Sequence, residues 1–251
     1  MRDYEIEIMS LRSLTPRFLK FLNKRNSIRL LRWSLRILVI VIIMDAGYLI
    51  GIWPDWDLYK EGPIQQSNFI RLYVYKQYQN QDWPQLQWQQ KSIRKISKNM
   101  IRALIVAEDS RFYSHSGIDT EALKSAMEYN MSEKRFVYGG STISQQTVKN
   151  IFLNASRNPL RKWHEFLLTI GMERNLSKKR ILELYLNVAE FGRGIYGVEA
   201  AARHYWGISA ANLSVNQSIQ LAASLPSPVA HNPSTRTKDF NRRVKKISRY
   251  F

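Results

Sequence analysis

An apolar run from Ile37 to Trp53 divides this chain of 251 residues into a short basic segment and a longer remainder. A helix needs ~20 apolar residues to cross a bilayer. The run approaches that length, although Asp45 lies near its middle. Residues 12–36, which precede it, contain lysines and arginines but no acidic residue. Because the cytoplasmic flanks of membrane helices are enriched in basic residues, this asymmetry predicts a cytoplasmic N-terminus.

Aromatic residues flank the run, with Trp33 before it and Trp53 and Trp56 near its far end, as is typical of membrane interfaces. A buried core helix is disfavoured by the one-signed basic segment, and a cleaved signal peptide by the late start of the run. We therefore expect a single-pass protein of the cytoplasmic (inner) membrane. Its three expected parts are a cytoplasmic basic N-terminus at 1–36, a transmembrane anchor at 37–56 and an extracytoplasmic (periplasmic) domain at 57–251.

The composition suits a folded domain with an anionic partner. Hydrophobic residues make up 45% of the chain, which is enough for a substantial core. The formal net charge of +18 indicates nucleic acid, anionic lipid or a phosphorylated substrate. The absence of cysteine excludes disulfides and thiolate metal sites, and the four scattered histidines lack the spacing of a zinc site.

The spacing of apolar residues after Trp56 predicts a mostly α domain. Residues 69–75 are an exception, since their aromatic and branched side chains predict a strand. The periodicity of residues 100–109 predicts a buried helix that presents Glu108 and Asp109 at its C-terminal end, where a carboxylate opposes the helix dipole. Further helices are expected at 120–129, 160–174, 178–187, 198–206, 214–225 and 238–251. The last should have one apolar face and a solvated basic back formed by Arg242, Arg243, Lys245, Lys246 and Arg249.

A polar segment, Gly-Gly-Ser-Thr-Ile-Ser-Gln-Gln-Thr-Val-Lys-Asn, occupies residues 139–150. Its glycines permit close backbone approach, and its hydroxyls and amides can hydrogen-bond a polyhydroxylated or phosphorylated ligand. It lacks the Gly-Lys-Ser/Thr ending of a nucleotide-binding P-loop. A Gly-Gly turn followed by a capped helix start would have a similar sequence, so this segment alone leaves both interpretations open.

Five ordered motifs include this segment. They are Glu-Asp-Ser-Arg-Phe-Tyr-Ser-His-Ser-Gly at 108–117, Gly-Gly-Ser-Thr-Ile-Ser-Gln-Gln at 139–146, Arg-Lys-Trp-His-Glu at 161–165, Lys-Lys-Arg-Ile-Leu-Glu-Leu-Tyr-Leu-Asn at 178–187 and Gly-Ile-Tyr-Gly-Val-Glu-Ala-Ala at 194–201. In this order they resemble the signature motifs of the family 51 peptidoglycan glycosyltransferases, over residues 104–233. The single anchor, the short chain after the last motif and the missing Lys-Thr/Ser-Gly transpeptidase element resemble its monofunctional biosynthetic branch.

The resemblance implies a mostly α, lysozyme-like, two-lobed domain that polymerises lipid II into glycan strands and releases undecaprenyl pyrophosphate. A sugar hydroxyl is a weak nucleophile at neutral pH, so a carboxylate must accept its proton, and Glu108 is the expected general base. Direct displacement at the anomeric carbon would invert its configuration. The departing pyrophosphate needs positive charge, which we expect from Lys149, Arg157, Arg161 and Lys162.

Glu165 is the second expected catalytic residue. It should orient Arg161, Lys162 or a cation bound to the pyrophosphate, although an ion pair on the helix face is an alternative. No motif demands a cofactor. A divalent cation, Mg²⁺ or Mn²⁺, could nevertheless share the neutralisation of the pyrophosphate.

Several other motif residues are expected to contact the substrate. Asp109 and Phe112 should shape the cleft. Hydrogen bonds to sugar or phosphate are expected from Ser141, Thr142, Gln145 and Gln146. His115 is expected to be structural, because the mechanism leaves no proton for it to transfer. The sequence does not decide between cleft and core for Tyr185, Asn187 and Tyr196.

The expected partners are lipid II, the growing glycan strand, the membrane and other proteins of cell-wall synthesis or division, but not nucleic acid. Two other functions compete. A lytic muramidase or transglycosylase would also use a glutamate on a lysozyme-like scaffold, but the cationic residues predicted around the pyrophosphate disfavour it. A non-catalytic, basic, membrane-tethered binding module would need neither Glu108 nor the ordered polar motifs.

Overall fold

The computed structural model describes residues 24–133, 139–156 and 158–251. The chain forms two compact units that divide between Trp53 and Pro54. The first unit contains helix α1, Lys24–Ile52. The segment Ser27–Ile52 is long and apolar enough to cross a membrane, and its apolar window is not buried. This exposed apolar surface distinguishes α1 from the core helix of a globular domain.

The second unit, residues 54–251, is mostly α, as the sequence predicts. Three short strands form its sheet: β1 (Gln87–Trp88), β2 (Glu190–Gly192) and β3 (Ile195–Tyr196). Turns of 3₁₀ helix lie at Ile93–Lys95 and Ala210–Asn212. The α-helices of the described residues are α2 (Asp57–Lys60), α3 (Asn68–Gln79), α4 (Lys98–Glu108), α5 (Thr120–Ser132), α6 (Ile143–Phe152), α7 (Pro159–Asn175), α8 (Lys178–Val188), α9 (Val198–Trp206), α10 (Val215–Ser224) and α11 (Lys238–Ser248).

Side-chain caps fix most of the predicted helix starts. Ser177 caps α8, since its hydroxyl accepts a hydrogen bond from the Arg180 amide. At the start of α7, Asn158 caps the helix and Pro159 occupies the first turn, where a missing N–H costs nothing. Gly207 ends α9 in the left-handed conformation, with φ of 68°. The last helix, α11, ends at Ser248 and not at Phe251.

The predicted strand at residues 69–75 is wrong, because this segment lies within α3. Ser67 accepts a hydrogen bond from the Ile70 amide and so begins a helix. Ile70 and Tyr73, three residues apart, are both buried on the same side, whereas a strand would bury every second residue. Tyr73 packs against Tyr196, with ring centroids 5.7 Å apart. Packing of this helical face therefore overrides the strand preference of the individual residues.

The small sheet joins distant parts of the second unit. Strand β3 lies in its centre, parallel to β1 and antiparallel to β2. Asn187 at the end of α8 is fully buried and supports this region. Its side chain accepts a hydrogen bond from the Lys91 amide at 2.6 Å and donates to the Lys91 carbonyl at 2.9 Å. Asn187 therefore belongs to the core and not to the cleft, a choice that the sequence alone leaves open.

Gly197 allows α8 and α9 to approach each other. Its φ is 82°, and a Cβ atom placed there would lie 2.9 Å from the carbonyl oxygen of Asn187. A side chain would therefore meet both backbone strain and a steric clash. The glycine of the fifth motif is thus required by the close approach of the backbone at the end of the fourth.

Helices α4, α10 and α11 pack together around one apolar cluster. Phe240 and Ile247 from α11 are buried there against Ala103 of α4 and Ile219 of α10. The predicted docking of α11 through one apolar face is therefore confirmed. The chain after α11 is also held, because the Arg102 guanidinium lies 4.7 Å from the ring centroid of Phe251.

Candidate active site

Glu108 is the last residue of α4, and both of its carboxylate oxygens are bound within the protein. Gln146 of α6 donates its Nε2 to Oε2 of Glu108 at 2.9 Å. Arg243 of α11 donates its Nη2 to Oε1 at 3.1 Å. The Glu108 side chain is 12% exposed, so water still has limited access to it. Three helices that are distant in sequence therefore converge on this carboxylate.

The environment of Glu108 raises its pKa. Burial is the largest cause, because it disfavours the charged form. The hydrogen bond from Gln146 and the positive charges of Arg243 and Lys149 oppose it by stabilising the carboxylate. The net result is a pKa above that of an ordinary glutamate, which suits a residue that accepts a proton near neutral pH.

Tyr185 fixes the orientation of the Gln146 amide. Its hydroxyl donates to the Gln146 Oε1 atom at 3.1 Å, which leaves the amide nitrogen directed toward Glu108. Burial, together with the negative charge of Glu108, raises the pKa of Tyr185 well above its ordinary value. Tyr185 therefore stays a proton donor. It belongs to both core and cleft, since it is buried and its side lines a cavity next to Glu108.

Asp109 joins the first two motifs. Its carboxylate accepts hydrogen bonds from His115 Nε2 at 3.0 Å and from the Ile143 amide at 3.0 Å. His115 Nδ1 in turn accepts from the Gly117 amide at 3.1 Å. Since Nδ1 accepts, Nε2 carries the proton that is donated to Asp109. This geometry agrees with the structural role expected for His115 and gives Asp109 one as well.

The polar segment at 139–150 combines both interpretations that its sequence allows. Thr142 and Gln145 form a capping box at the start of α6, and the Thr142 hydroxyl also donates to the Gly117 carbonyl at 2.6 Å. Both side chains are buried, so their polar atoms already have partners within the protein. Gln146 and Lys149 lie on the other side of the helix, half-buried and close to Glu108. One face of α6 is therefore structural and the other faces the cleft.

Phe112 lies in the core, with no exposed surface. The Lys178 ammonium, at the start of the fourth motif, lies 4.4 Å from its ring centroid and also bonds Glu173 at 2.7 Å. Phe112 and Gln145 are thus buried, whereas Thr142 is also buried but lines a cavity together with Glu108.

Glu165 holds two of the expected cations in place. It is buried on α7, and its carboxylate forms ion pairs with Arg161 and Lys162. Lys162 also donates to the Ser141 hydroxyl at 3.2 Å, which connects the second and third motifs. The alternative expected from the sequence, an ion pair of Glu165 on its own helix face, is thus present. The carboxylate is buried, however, and it bridges two cations. Arg157 lies outside the described residues.

Lys149 lies close enough to these charges to be affected by them. Burial lowers its pKa most, and the positive charges of Arg161 and Lys162 lower it further. The negative charges of Glu165 and Glu108 act in the opposite direction. A buried ammonium beside two other cations is an unfavourable arrangement that an anion would relieve.

Two cavities lie on either side of Gln146. One, of about 160 Å³, is lined by Glu108, Ser110 and Ser141 among others. The other, of about 190 Å³, is lined by Gln146, Lys149, Tyr185, Glu190 and Tyr196 among others. Glu108 thus lines the first cavity, and Lys149 lines the second together with the Glu190 carboxylate.

Two residues of this region were not singled out from the sequence. Arg243 was predicted to lie on the solvated back of α11, which is wrong, because its guanidinium reaches Glu108. The sequence does not distinguish Arg243 from its basic neighbours Arg242, Lys245 and Lys246, which is why this contact was not predicted. Glu190 lines the second cavity, and burial, as the largest cause, raises its pKa to about 7. Its position in the sequence, between the fourth and fifth motifs, could have indicated that it lies near the site.

The described residues do not offer a divalent cation a suitable site. Ligand atoms of Asp109, His115 and Asp119 lie within 4.8 Å of one another. However, the proton on His115 Nε2 faces Asp109, and Asp119 caps α5 by accepting from the Ala122 amide. At Glu165, two side-chain cations already occupy the carboxylate. We therefore derive no step from a bound metal.

The chain is similar in sequence to known proteins. A family model described as Transglycosylase matches residues 75–250. A biosynthetic peptidoglycan transglycosylase of Bordetella avium is 48% identical over 154 residues, which cover 60% of this chain and 64% of the relative. The match thus spans less than two thirds of that relative. Another, from Herminiimonas arsenicoxydans, is 38% identical over 224 residues, covering 88% of this chain and 94% of the relative. The chain belongs to the transglycosylase family.

Proposed function

We propose that this protein is a peptidoglycan glycosyltransferase that elongates glycan strands from lipid II and releases undecaprenyl pyrophosphate. The observation that carries the proposal is Glu108, a shielded carboxylate of raised pKa at the end of a helix, close to a group of cations. Relatives with the printed name biosynthetic peptidoglycan transglycosylase support it. So does the convergence of the five motifs on one region of the second unit.

Glu108 acts as the general base in this proposal. A hydroxyl of the incoming sugar donates its proton to the carboxylate while its oxygen attacks the anomeric carbon of the lipid-linked sugar. The bond from that carbon to the pyrophosphate oxygen breaks, and the electron pair leaves with the pyrophosphate. The attack comes from the opposite face, so the configuration inverts. A glutamate of raised pKa holds an accepted proton more strongly than an ordinary glutamate does.

The leaving pyrophosphate is stabilised by cations in this mechanism. Lys149, Arg161 and Lys162 supply the charge, and Arg157 adds to it. Glu165 orients Arg161 and Lys162, so the cations are in place before charge develops on the leaving group. A lytic enzyme would have no use for this arrangement, because it releases no phosphate. Ser141 and Gln146 are the remaining candidates for direct substrate contacts.

Helix α1 anchors the protein in the cytoplasmic membrane, with the N-terminus in the cytoplasm and residues 57–251 outside. The basic segment and the length of Ser27–Ile52 support this topology. An anchor keeps the cleft near a substrate whose lipid chain stays in the bilayer. Contacts with other proteins of cell-wall synthesis or division stay a prediction.

Glu108→Gln should abolish polymerisation, because the amide cannot accept the hydroxyl proton. The measurement is the size distribution of products from labelled lipid II, with detergent-solubilised wild-type protein as the reference. Muramidase-sensitive strands should form with wild type only. If wild type leaves lipid II intact and shortens preformed glycan, the lytic alternative is correct. If neither substrate changes, a binding module becomes the better description.

The same variant should be at least as stable as wild type at neutral pH. Because the folded-state pKa of Glu108 is raised, the folded protein binds the proton more tightly than the unfolded chain does. Stability therefore falls as pH rises through the interval between the two pKa values, by ~1.4 kcal/mol for each pKa unit that separates them. Glutamine does not ionise, so the variant does not lose stability in this pH interval. Urea unfolding at acidic and neutral pH measures the difference, and a variant destabilised only at neutral pH would contradict the assignment.

Lys149→Ala should reduce polymerisation on the order of 100-fold, since it removes one preorganised cation from the leaving group. Lys124→Ala is the matched control, because that side chain is 78% exposed and lies on α5. Initial rates with labelled lipid II give the comparison. Equal rates for the two variants would remove Lys149 from the mechanism.

The proposed topology can be tested with single cysteines, since the chain has none of its own. Glu61→Cys should react with a membrane-impermeant maleimide in spheroplasts, whereas Ser13→Cys should react only after lysis. Reversed labelling would overturn the topology. A mature protein that lacks residue 13, detected by mass, would show that the apolar helix is a cleaved signal.

A further inference from the structure

Helix α11 contributes a side chain to the proposed base, although it lies after all five motifs. Arg243 donates to Glu108 at 3.1 Å, and its side chain is 37% exposed. Its neighbour Arg242 is 78% exposed and pairs with Asp239 on its own helix. Two adjacent arginines thus have different surroundings, and only one of them reaches the cleft.

The position of Arg243 is fixed by packing on both sides of it. Phe240 and Ile247, three residues before and four residues after, are buried against α4 and α10. These two contacts hold one face of α11 on the helix that carries Glu108, so the guanidinium approaches the carboxylate from a rigid element. The cavity of about 330 Å³ between α4 and α11 is lined by Arg243, and it shares Val106, Ala107 and Ser110 with the Glu108 cavity.

We propose that Arg243 is a positioning residue for the reaction, which fixes the orientation of the Glu108 carboxylate and stabilises its charged form. The inference rests on the proposed function of Glu108 as the general base. Each carboxylate oxygen can accept more than one hydrogen bond, so Arg243 at Oε1 and Gln146 at Oε2 leave capacity for the incoming proton.

The other groups that face Glu108 cannot replace this arginine. Gln146 from α6 is neutral, and Tyr185 from α8 contacts Glu108 only through Gln146. Lys149 from α6 acts through its charge, but burial lowers its own pKa. Arginine keeps its charge at every relevant pH and offers a planar donor group. Among the described residues, Arg243 therefore supplies the direct ion pair of Glu108.

The test compares Arg243→Ala with Arg242→Ala, which removes the same charge from the same helix. The readout is kcat/KM for polymerisation of labelled lipid II as a function of pH. Arg243→Ala should move the acidic limb of the profile upward by about one pH unit, which lowers the rate by up to roughly tenfold at pH values below that limb, with recovery at higher pH. Arg242→Ala should match wild type. Arg243→Lys should restore most of the acidic limb.

Arg243→Gln separates position from charge, because it keeps a donor and loses the positive charge. Its acidic limb should move as in the alanine variant. Thermal unfolding of each variant checks that the fold persists, and the lysine and glutamine variants carry the test if alanine does not fold. Identical profiles for the Arg242 and Arg243 variants would overturn the inference, as would a change in KM alone. If Glu108→Gln polymerises as wild type does, the proposed base itself has failed.

Discussion

The carboxylate of Asp109 is the contact on which the geometry of the site depends. It accepts hydrogen bonds from His115, in the loop after α4, and from the backbone amide that begins α6. These bonds join the C-terminal end of one helix to the N-terminal end of another, where unpaired amides favour a negative charge. Glu108, the residue before Asp109, is thereby held beside Gln146, which lies on α6. The two adjacent carboxylates thus have different roles: Asp109 joins α4 to α6, and Glu108 is the expected base.

Several other polar residues of the second unit also have a structural role. Thr142, Gln145 and Asn187 bond backbone groups and are buried. These bonds fix the helix ends around the site. Glu108 is bound by Gln146 and Arg243 from two other helices, and Arg161 and Lys162 are bound by Glu165 on their own helix. Such preorganisation reduces the reorganisation that a reaction would otherwise require.

The sequence predicts the α-helical class and most helix bounds, because helix caps and apolar spacing are local signals. It also predicts the chemistry of the reacting groups through the motifs. It does not show which motif residues are buried, as Thr142, Gln145 and Phe112 are, and their contacts with substrate stay a prediction. It also misassigns α3, where packing of Ile70 and Tyr73 decides the structure. Arg243 could not be found, because the contact with Glu108 joins residues that are 135 positions apart.

The lowered pKa of Lys149 has a consequence for ligands that compete with the substrate. Desolvation and two neighbouring cations have already weakened the hold of this amine on its proton. An anion that enters the cavity would favour the protonated amine and offset part of the cost of its burial. A neutral sugar mimic would receive no such contribution. Inhibitors of this cleft would therefore gain selectivity from a negative group placed at the Lys149 end.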